Sequence, residues 1–283
     1  MSMKLKHLFG LAGAAGTFAL GCAAYSELSI KTTEYSLETG KITCPLTVTV
    51  LSDLHFSAFG KDNCRLVKAV RDTSPDVILL AGDFFDYHHG RTNTEKTVAT
   101  FRALCSVAPV YMAPGNHDIR YDVQTGENYR EYAENAGVTV LDGEYADIEI
   151  KGQKVRIGGI FDHSIYPEDY GKRWYSSPVY EYLKDFENTD SLSLLMMHRP
   201  NTFIYTDDRW HFDAVFSGHC HGGIWQIPLL GGVFASEQGF LPEYDKGEFD
   251  IAGTKMFLSS GLEGYYIVPR IFNRVEILKV KIK

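Results

Sequence analysis

The chain has 283 residues, 45% of them hydrophobic, with 36 acidic side chains against 28 basic ones and a formal net charge of −8. That apolar content supports a folded core and excludes global disorder, and the acidic balance excludes a protein that grips nucleic acid non-specifically through a basic face. The five cysteines, Cys22, Cys44, Cys64, Cys105 and Cys220, form no C-x-x-C pair and are odd in number, which excludes a disulfide framework and a zinc ribbon.

At the N-terminus, "MSMKLKH" places Lys4 and Lys6 ahead of Leu8 to Tyr25, a stretch without a charged residue. Residues 1–25 therefore read as a signal peptide or a short membrane anchor. Positive charge ahead of the stretch predicts an N-in, C-out orientation, with the rest of the chain membrane-associated or exported. Residues 26–45 read as a connector or an edge strand.

From Leu46 onward, strand-like runs alternate with helix-like ones. "LTVTVLSD" (46–53) reads as a strand, "NCRLVKAVRDTSP" (63–75) as an amphipathic helix stopped by Pro75, and "DVILLAGD" (76–83) as a buried strand. "TEKTVATFRALCSV" (94–107) reads as a second helix, and "APVYMAPGNHD" (108–118) holds a third strand. This β-α-β-α-β order predicts a parallel sheet with helices on its faces. "ADIEIKGQKVRIGGI" (146–160) reads as a hairpin turning at Lys151-Gly152. "SLSLLMMH" (191–198), "DAVFSGH" (213–219), "TKMFLSS" (254–260) and "RVEILKVKI" (274–282) complete the strands. Residues 46–283 are expected to form one domain.

Five of these strands end in residues that can bind metal: Asp53 and His55; Asp83 and Asp86; Asn116, His117 and Asp118; His198; and His219 with His221. Any one of them has a plain reading as a turn or a helix cap. Together they deliver Asp, Asn and His to one rim, because ligand sites in open α/β sheets lie beyond the carboxyl ends of the strands. Imidazole with carboxylate and amide oxygen, without thiolate, suits divalent ions such as manganese, iron or zinc. Two such ions can clamp a phosphoryl group. An Asp between them can give one oxygen to each, and the pair in "SGHCHGG" can send one ring to each.

The ordered set "DLH", "GDFFD", "GNHD", a single His and "GHCH", from Asp53 to His221, resembles the calcineurin-like metallophosphoesterase superfamily. "GHCHGGIWQIPLLGGVFASEQGF" with "SSGLEG" resembles its bacterial membrane-associated or exported phosphodiesterase branch. The resemblance implies an α/β fold, a four-layer sandwich of two mixed sheets flanked by helices. It implies two divalent ions, manganese first, with iron, zinc or magnesium as alternatives. Asp53, His55, Asp83 and His221 would hold one ion, and Asp83 would bridge to a second held by Asn116, His198 and His219. His117 would stand at the leaving group, oriented by Asp118. The implied reaction is hydrolysis of a phosphodiester or pyrophosphate bond in a small or lipid-linked substrate, such as a nucleotide-diphospho-glycolipid of the UDP-2,3-diacylglucosamine type.

Competing readings fit less well. A nuclease of the same superfamily conflicts with the charge and the leader. Protein phosphatases of the superfamily resemble "GDxVDRG" and "GNHE", where this chain has Tyr87 and Asp118. A non-catalytic scaffold is expected to lack ligands, and none is missing. Nothing calls for nucleic acid or an obligate protein partner. Cys220 stands where a hydroxyl is expected, as a thiol open to oxidation. His88 and His89 read as exposed, and His163 and His211 as structural or solvated. Lys61, Arg65 and Lys68 form a helix face. Phe234, Phe240, Tyr244, Tyr265 and Tyr266 are candidates for lining an acyl or base groove, and Arg270 for touching phosphate.

Overall fold

The runs Val77–Ala81 and Leu192–Met197 are buried at every position. A strand without a polar face must be covered on both sides. The computed structural model, which describes residues 17, 20–160, 178–204, 210–264 and 268–283, shows how. Most of the 1–25 segment, His163, Tyr265 and Tyr266 lie outside the described residues.

Strands β1 (Lys31–Leu37), β2 (Leu46–Leu51), β3 (Val77–Ala81), β4 (Val110–Ala113) and β5 (Thr139–Val140) belong to one sheet. β6 (Glu144–Ile150), β7 (Gln153–Ile160), β8 (Leu192–Met197), β9 (Ala214–Ser217), β10 (Gly247–Ile251) and β11 (Thr254–Leu258) form a second. β12 (Glu276–Ile282) returns to the first. The orders are β1-β12-β2-β3-β4-β5 and β10-β11-β9-β8-β7-β6. Both are mixed: β2, β3 and β4 run parallel, as do β7, β8, β9 and β11, while β12 is antiparallel to β2, and β6 and β10 are antiparallel edges.

The sheets pack face to face. Val48, Val50, Leu79 and Ala81 of one meet Leu194, Met196, Phe216 and Phe257 of the other in a buried cluster. Alternate residues point the other way. Ile78 and Leu80 face helices α1 (Cys64–Asp72) and α2 (Thr94–Cys105) through Leu66, Val70, Phe101 and Leu104. Helices α3 (Asn116–Thr125) and α4 (Tyr129–Asn135) pack through Tyr121, Tyr129 and Ala133 in the same layer. Leu195 and Met197 face α5 (Pro178–Glu187) through Leu183 and Phe186. The order helix, sheet, sheet, helix is the expected four-layer sandwich. Truncating a side chain such as Leu194 to alanine in that interior costs about 2–5 kcal/mol.

The hairpin turns at Lys151-Gly152 as expected. Several bounds differ. The first helix stops at Asp72 because Ser74, just before Pro75, turns left-handed (φ 53°). "GNHD" does not close a strand: Asn116 opens α3, whose N-terminus points at the site. Residues 31–37 are an edge strand paired in parallel with β12. Ahead of it, residues 20–28 are helical. Among the described residues no helix is long and apolar enough to cross a membrane.

Candidate metal centre

The carboxyl ends of both sheets meet at one edge, where hydrogen bonds tie the strand ends within each sheet and the Asp53 carboxylate links one sheet to the other. Asp53 N–H donates to Gly82 O at 2.9 Å, Gly218 N–H to His198 O at 3.0 Å, and His219 N–H to Asp53 Oδ1 at 3.0 Å. Two glycines let the strand ends close in. A Cβ on Gly115 would land on the Asp83 carboxylate, and one on Gly218 would lie 2.5 Å from Asp53 Oδ2. Asp53, His55, Asp83, His219 and His221 themselves take positive φ, at 53°, 45°, 62°, 69° and 47°. L-residues adopt this left-handed region at a cost of about 1–2 kcal/mol each, and such strain concentrates at functional sites.

The side chains form three overlapping groups whose ligand atoms lie within 4.8 Å of one another: Asp53, His55 and His221; Asp83, His198 and His219; and His55, Asp83 and His117. Asp83 lies between the first two, with Oδ2 3.7 Å from His55 Nε2 and 3.0 Å from His198 Nε2. Ring tautomers are set from behind. His198 Nδ1 donates to Ala81 O at 2.7 Å, and His55 Nδ1 lies 3.2 Å from Asp86 Oδ2, which leaves each Nε2 facing the site. Among the described residues, buried His55 Nε2, His219 Nε2 and Asn116 Oδ1 have no hydrogen-bond partner. Orphaned buried polar atoms are costly. Aimed at one centre beside carboxylates, they fit a pair of divalent cations as the missing partners.

The electrostatics agree. Burial opposes charge on His55, but Glu263, Asp86, Asp83 and Asp53 outweigh it and push its pKa up to about 10. His198, likewise buried, is pushed up to about 9 by Asp83 and Asp53. Burial also raises Asp83, yet His198, His55 and His117 hold it well below the usual carboxylate range. The His117 N–H at the start of α3 donates to Asp83 Oδ1 at 2.7 Å, as helix N-termini do for anions. Burial takes His221 down to about 3, helped by His55, Arg270 and His219 and resisted by Asp53. The metal-free site thus holds protons on His55 and His198 where cations would otherwise sit.

The two residues read as catalytic part company. His117 stands at the mouth, but Asp118 does not orient it. The buried Asp118 carboxylate instead accepts the N–H groups of Asp83, Phe84, Phe85 and Gly115 at 2.7–3.0 Å, bracing the loop that carries Asp83. Burial and the neighbouring Asp83 push its pKa up to about 7 against the pull of those donors. The acid on His117 is Asp86, whose Oδ1 lies 3.0 Å from Nδ1, while Arg120 Nη2 lies 2.5 Å from Nε2.

Two acids escaped the sequence reading. Glu263 Oε2 lies 3.7 Å from both His55 Nε2 and His221 Nδ1, and Glu237 Oε1 lies 3.5 Å from His219 Nε2. Glu263 follows β11, so the strand-end rule applied to a sixth strand points to it. Arg270 is fully buried, and its Nε and Nη2 donate to Glu263 O and Ser260 O, holding the Glu263 loop. Cys220 is buried against Ala235 and Leu258, and burial raises its pKa further, so it is a packing thiol rather than a reactive one. His88 and His89 are exposed at a small hairpin, and His211 is exposed with Nδ1 2.8 Å from Glu187. Tyr244 packs on Phe249, while Phe234 and Phe240 stay exposed.

Comparison with known proteins points the same way. The chain is 23% identical over 289 residues to the Bacillus subtilis metallophosphoesterase YkuE, covering 99% of this chain and 96% of that one. It is 26% identical over 194 residues to the Escherichia coli phosphodiesterase YaeI, covering 68% and 66%. Other relatives are longer: the chain spans 59% of the Campylobacter jejuni metallophosphoesterase Cj0846. Among solved structures it is similar to the phosphopantetheinyl hydrolase PptH of Mycobacterium tuberculosis, with a TM-score of 0.45, 15% identity, and 76% and 90% of the two chains covered. The calcineurin-like phosphoesterase model matches residues 46–223, the span that holds every ligand-type residue of the rim from Asp53 to His221. The chain belongs to the calcineurin-like phosphoesterase family, and it is a metal-dependent phosphoester hydrolase.

Proposed function

We propose that the site hydrolyses a phosphodiester or pyrophosphate bond, and that the substrate is lipid-linked, a nucleotide-diphospho-glycolipid of the UDP-2,3-diacylglucosamine type. The observation that carries the reading is Asp83 lying between two ligand groups, with a His117 ring held by Asp86 at their mouth. Asp53, His55, Asp83 and His221 hold one divalent ion, and Asp83, Asn116, His198 and His219 the other, with manganese the first choice. Bound there, the ions supply charge to the phosphoryl oxygens and an acidified water. The chain's own residues do the rest. Asp86 holds the His117 imidazole where the leaving oxygen departs, and with Arg120 Nη2 moved off Nε2 a protonated ring would donate to that oxygen as its charge develops. The uncharged stretch from Leu8 to Tyr25 supports a lipid-linked substrate, since an anchor confines enzyme and lipid to one surface.

The test is turnover of bis(p-nitrophenyl) phosphate against p-nitrophenyl phosphate with added manganese, then of UDP-2,3-diacylglucosamine. Preference for the monoester overturns the diesterase reading. Turnover of the diester with none of the glycolipid overturns the lipid-linked part alone.

A further inference from the structure

Three segments near the metal site carry one charged residue each and leave apolar side chains outside. From Trp225 to Leu241 the one charged residue is Glu237. Its Oε1 lies 3.3 Å from Arg199 and its Oε2 accepts from Asn201 at 3.0 Å, so the carboxylate is paired. From Val268 to Phe272 the one charged residue is the fully buried Arg270. In helix 20–28 the one charged residue is Glu27, whose Oε1 accepts the Arg270 N–H at 3.3 Å. What remains outside is Leu229, fully exposed, and Phe240, 80% exposed, with Trp225, Ile227, Leu230, Leu241 and Phe272, then Leu20, Tyr25 and Leu28 on the helix. Single exposed apolar residues need no explanation, but a contiguous face of them does.

The segments adjoin. Trp225 bridges to Ile271, its Nε1 donates to Pro269 O at 2.9 Å, and Gln226 N–H donates to Ile271 O at 2.9 Å. Glu27 joins that strip to the helix, and Arg65 and Arg274 hold the helix end through Leu28 O and Ser29 O. The site is close. His221 and Gly222 lead directly into Trp225, and Asn273 Nδ2, next to Phe272, donates to His221 O at 2.7 Å.

We propose that this rim is a bilayer-docking surface, with Trp225, Leu229, Leu230, Phe240, Leu241 and Phe272 seated at the boundary between headgroups and acyl chains. The occupant is argued from continuity. The rim runs into helix 20–28, which prolongs the uncharged sequence from Leu8 to Ser26, so both would meet one membrane. Apolar side chains with an interfacial Trp suit that boundary. Among the described residues of these segments the one exposed charge, Glu237, is paired with Arg199, and the chain is net acidic. The contact is therefore apolar insertion rather than attraction to anionic lipid. The proposal does not depend on the lipid-linked substrate and is tested without one.

The full chain is prepared with p-benzoylphenylalanine at Leu229, at Phe240, or at Lys154, beside the hairpin turn at the sheet end away from the site. Unchanged melting temperatures confirm that each folds. The chains are irradiated on phosphatidylcholine vesicles, with and without phosphatidylglycerol, at low and high salt. Lipid adducts are expected at 229 and 240 and absent at 154, with yields unchanged by phosphatidylglycerol or salt. Loss of the adducts at 229 and 240 while the chain stays vesicle-bound overturns the proposal, as does a chain that stays off vesicles. Chain-to-chain adducts in their place would assign the rim to a second copy. Adducts that need phosphatidylglycerol and vanish in salt would make the contact electrostatic and overturn it too.

Discussion

Oδ1 of Asp86 lies 3.0 Å from Nδ1 of His117, so the ring at the mouth of the site is oriented from the "GDFFD" loop and not from its own helix. Asp86→Asn is therefore expected to lower turnover by roughly 10–100-fold, the usual loss when a supporting partner is removed. The deficit should be largest for diesters with poor leaving groups. The double variant Asp86→Asn with His117→Ala should lose little more than His117→Ala alone, because two residues acting as a unit are not additive. Independent losses in a double-mutant cycle on an alkyl diester would separate the two.

Asp118→Ala tests a different role. It leaves four buried N–H groups without their acceptor. One unpaired buried group costs about 1–3 kcal/mol. A loss of at least about 3 kcal/mol is expected, or roughly 6–12 °C in melting temperature at this chain length. An unchanged melting temperature with a slow enzyme would return Asp118 to the chemistry.

Asp83→Asn is expected to lower metal content at both positions, since a neutral amide puts less charge between two cations. His221→Ala should weaken mainly one ion and His198→Ala mainly the other. Metal counting by plasma mass spectrometry on folded protein checks the first claim, and metal positions in crystals of the two histidine variants check the second.

Metal uptake should release protons. In the metal-free chain His55 and His198 hold theirs up to about pH 10 and 9, while His221 is neutral above about pH 3. At pH 7 binding must therefore expel about two protons. Affinity should rise with pH from 6 toward 9. The sign for the metal-free fold is the reverse. Both histidines have folded pKa values above the unfolded value near 6.5, so the stability they contribute is complete below about pH 6.5 and is lost as pH climbs through 9 to 10. Calorimetry in buffers of different ionisation enthalpy measures the protons, and melting in chelator measures the stability.

Cys64 is exposed and Cys220 buried. A thiol reagent added to the native protein should label Cys64 and leave Cys220 untouched until the fold opens, as read by peptide mass spectrometry. Early labelling of Cys220 would show that the "HCH" turn breathes.

Much of this was legible in the sequence because apolar runs and their polar ends are local signals. The runs ending in Asp53, Asp83, His198 and His219 are strands buried on both faces, so their ends were unambiguous. Helix α3 was not legible, because it buries few side chains, Asp118 and Tyr121 among them, and shows no apolar stripe. Strand β10 was missed because its exposure alternates and Gly and Asp break its apolar content. The partners of His117 were out of reach for another reason. Asp86 and Asp118 are both acids near it, and which one meets the ring depends on where α3 begins, a tertiary fact. Glu237 sits on a turn held by Arg199, 38 residues earlier, and Glu263 on a turn held by Arg270, whose burial is a tertiary fact.

The left-handed backbone at Asp53, His55, Asp83, His219 and His221 sets two selective pressures against each other. In chelator the strain of about 1–2 kcal/mol at each position is offset at Asp53, His55 and Asp83 by their mutual pairing, and glycine relieves it at His219 and His221. With metal present, ion binding outweighs the strain and the ligands are retained. A library screened for heat resistance without metal should therefore drift toward glycine at the codons of His219 and His221, becoming sturdier and inert, while the same library screened with metal keeps both histidines.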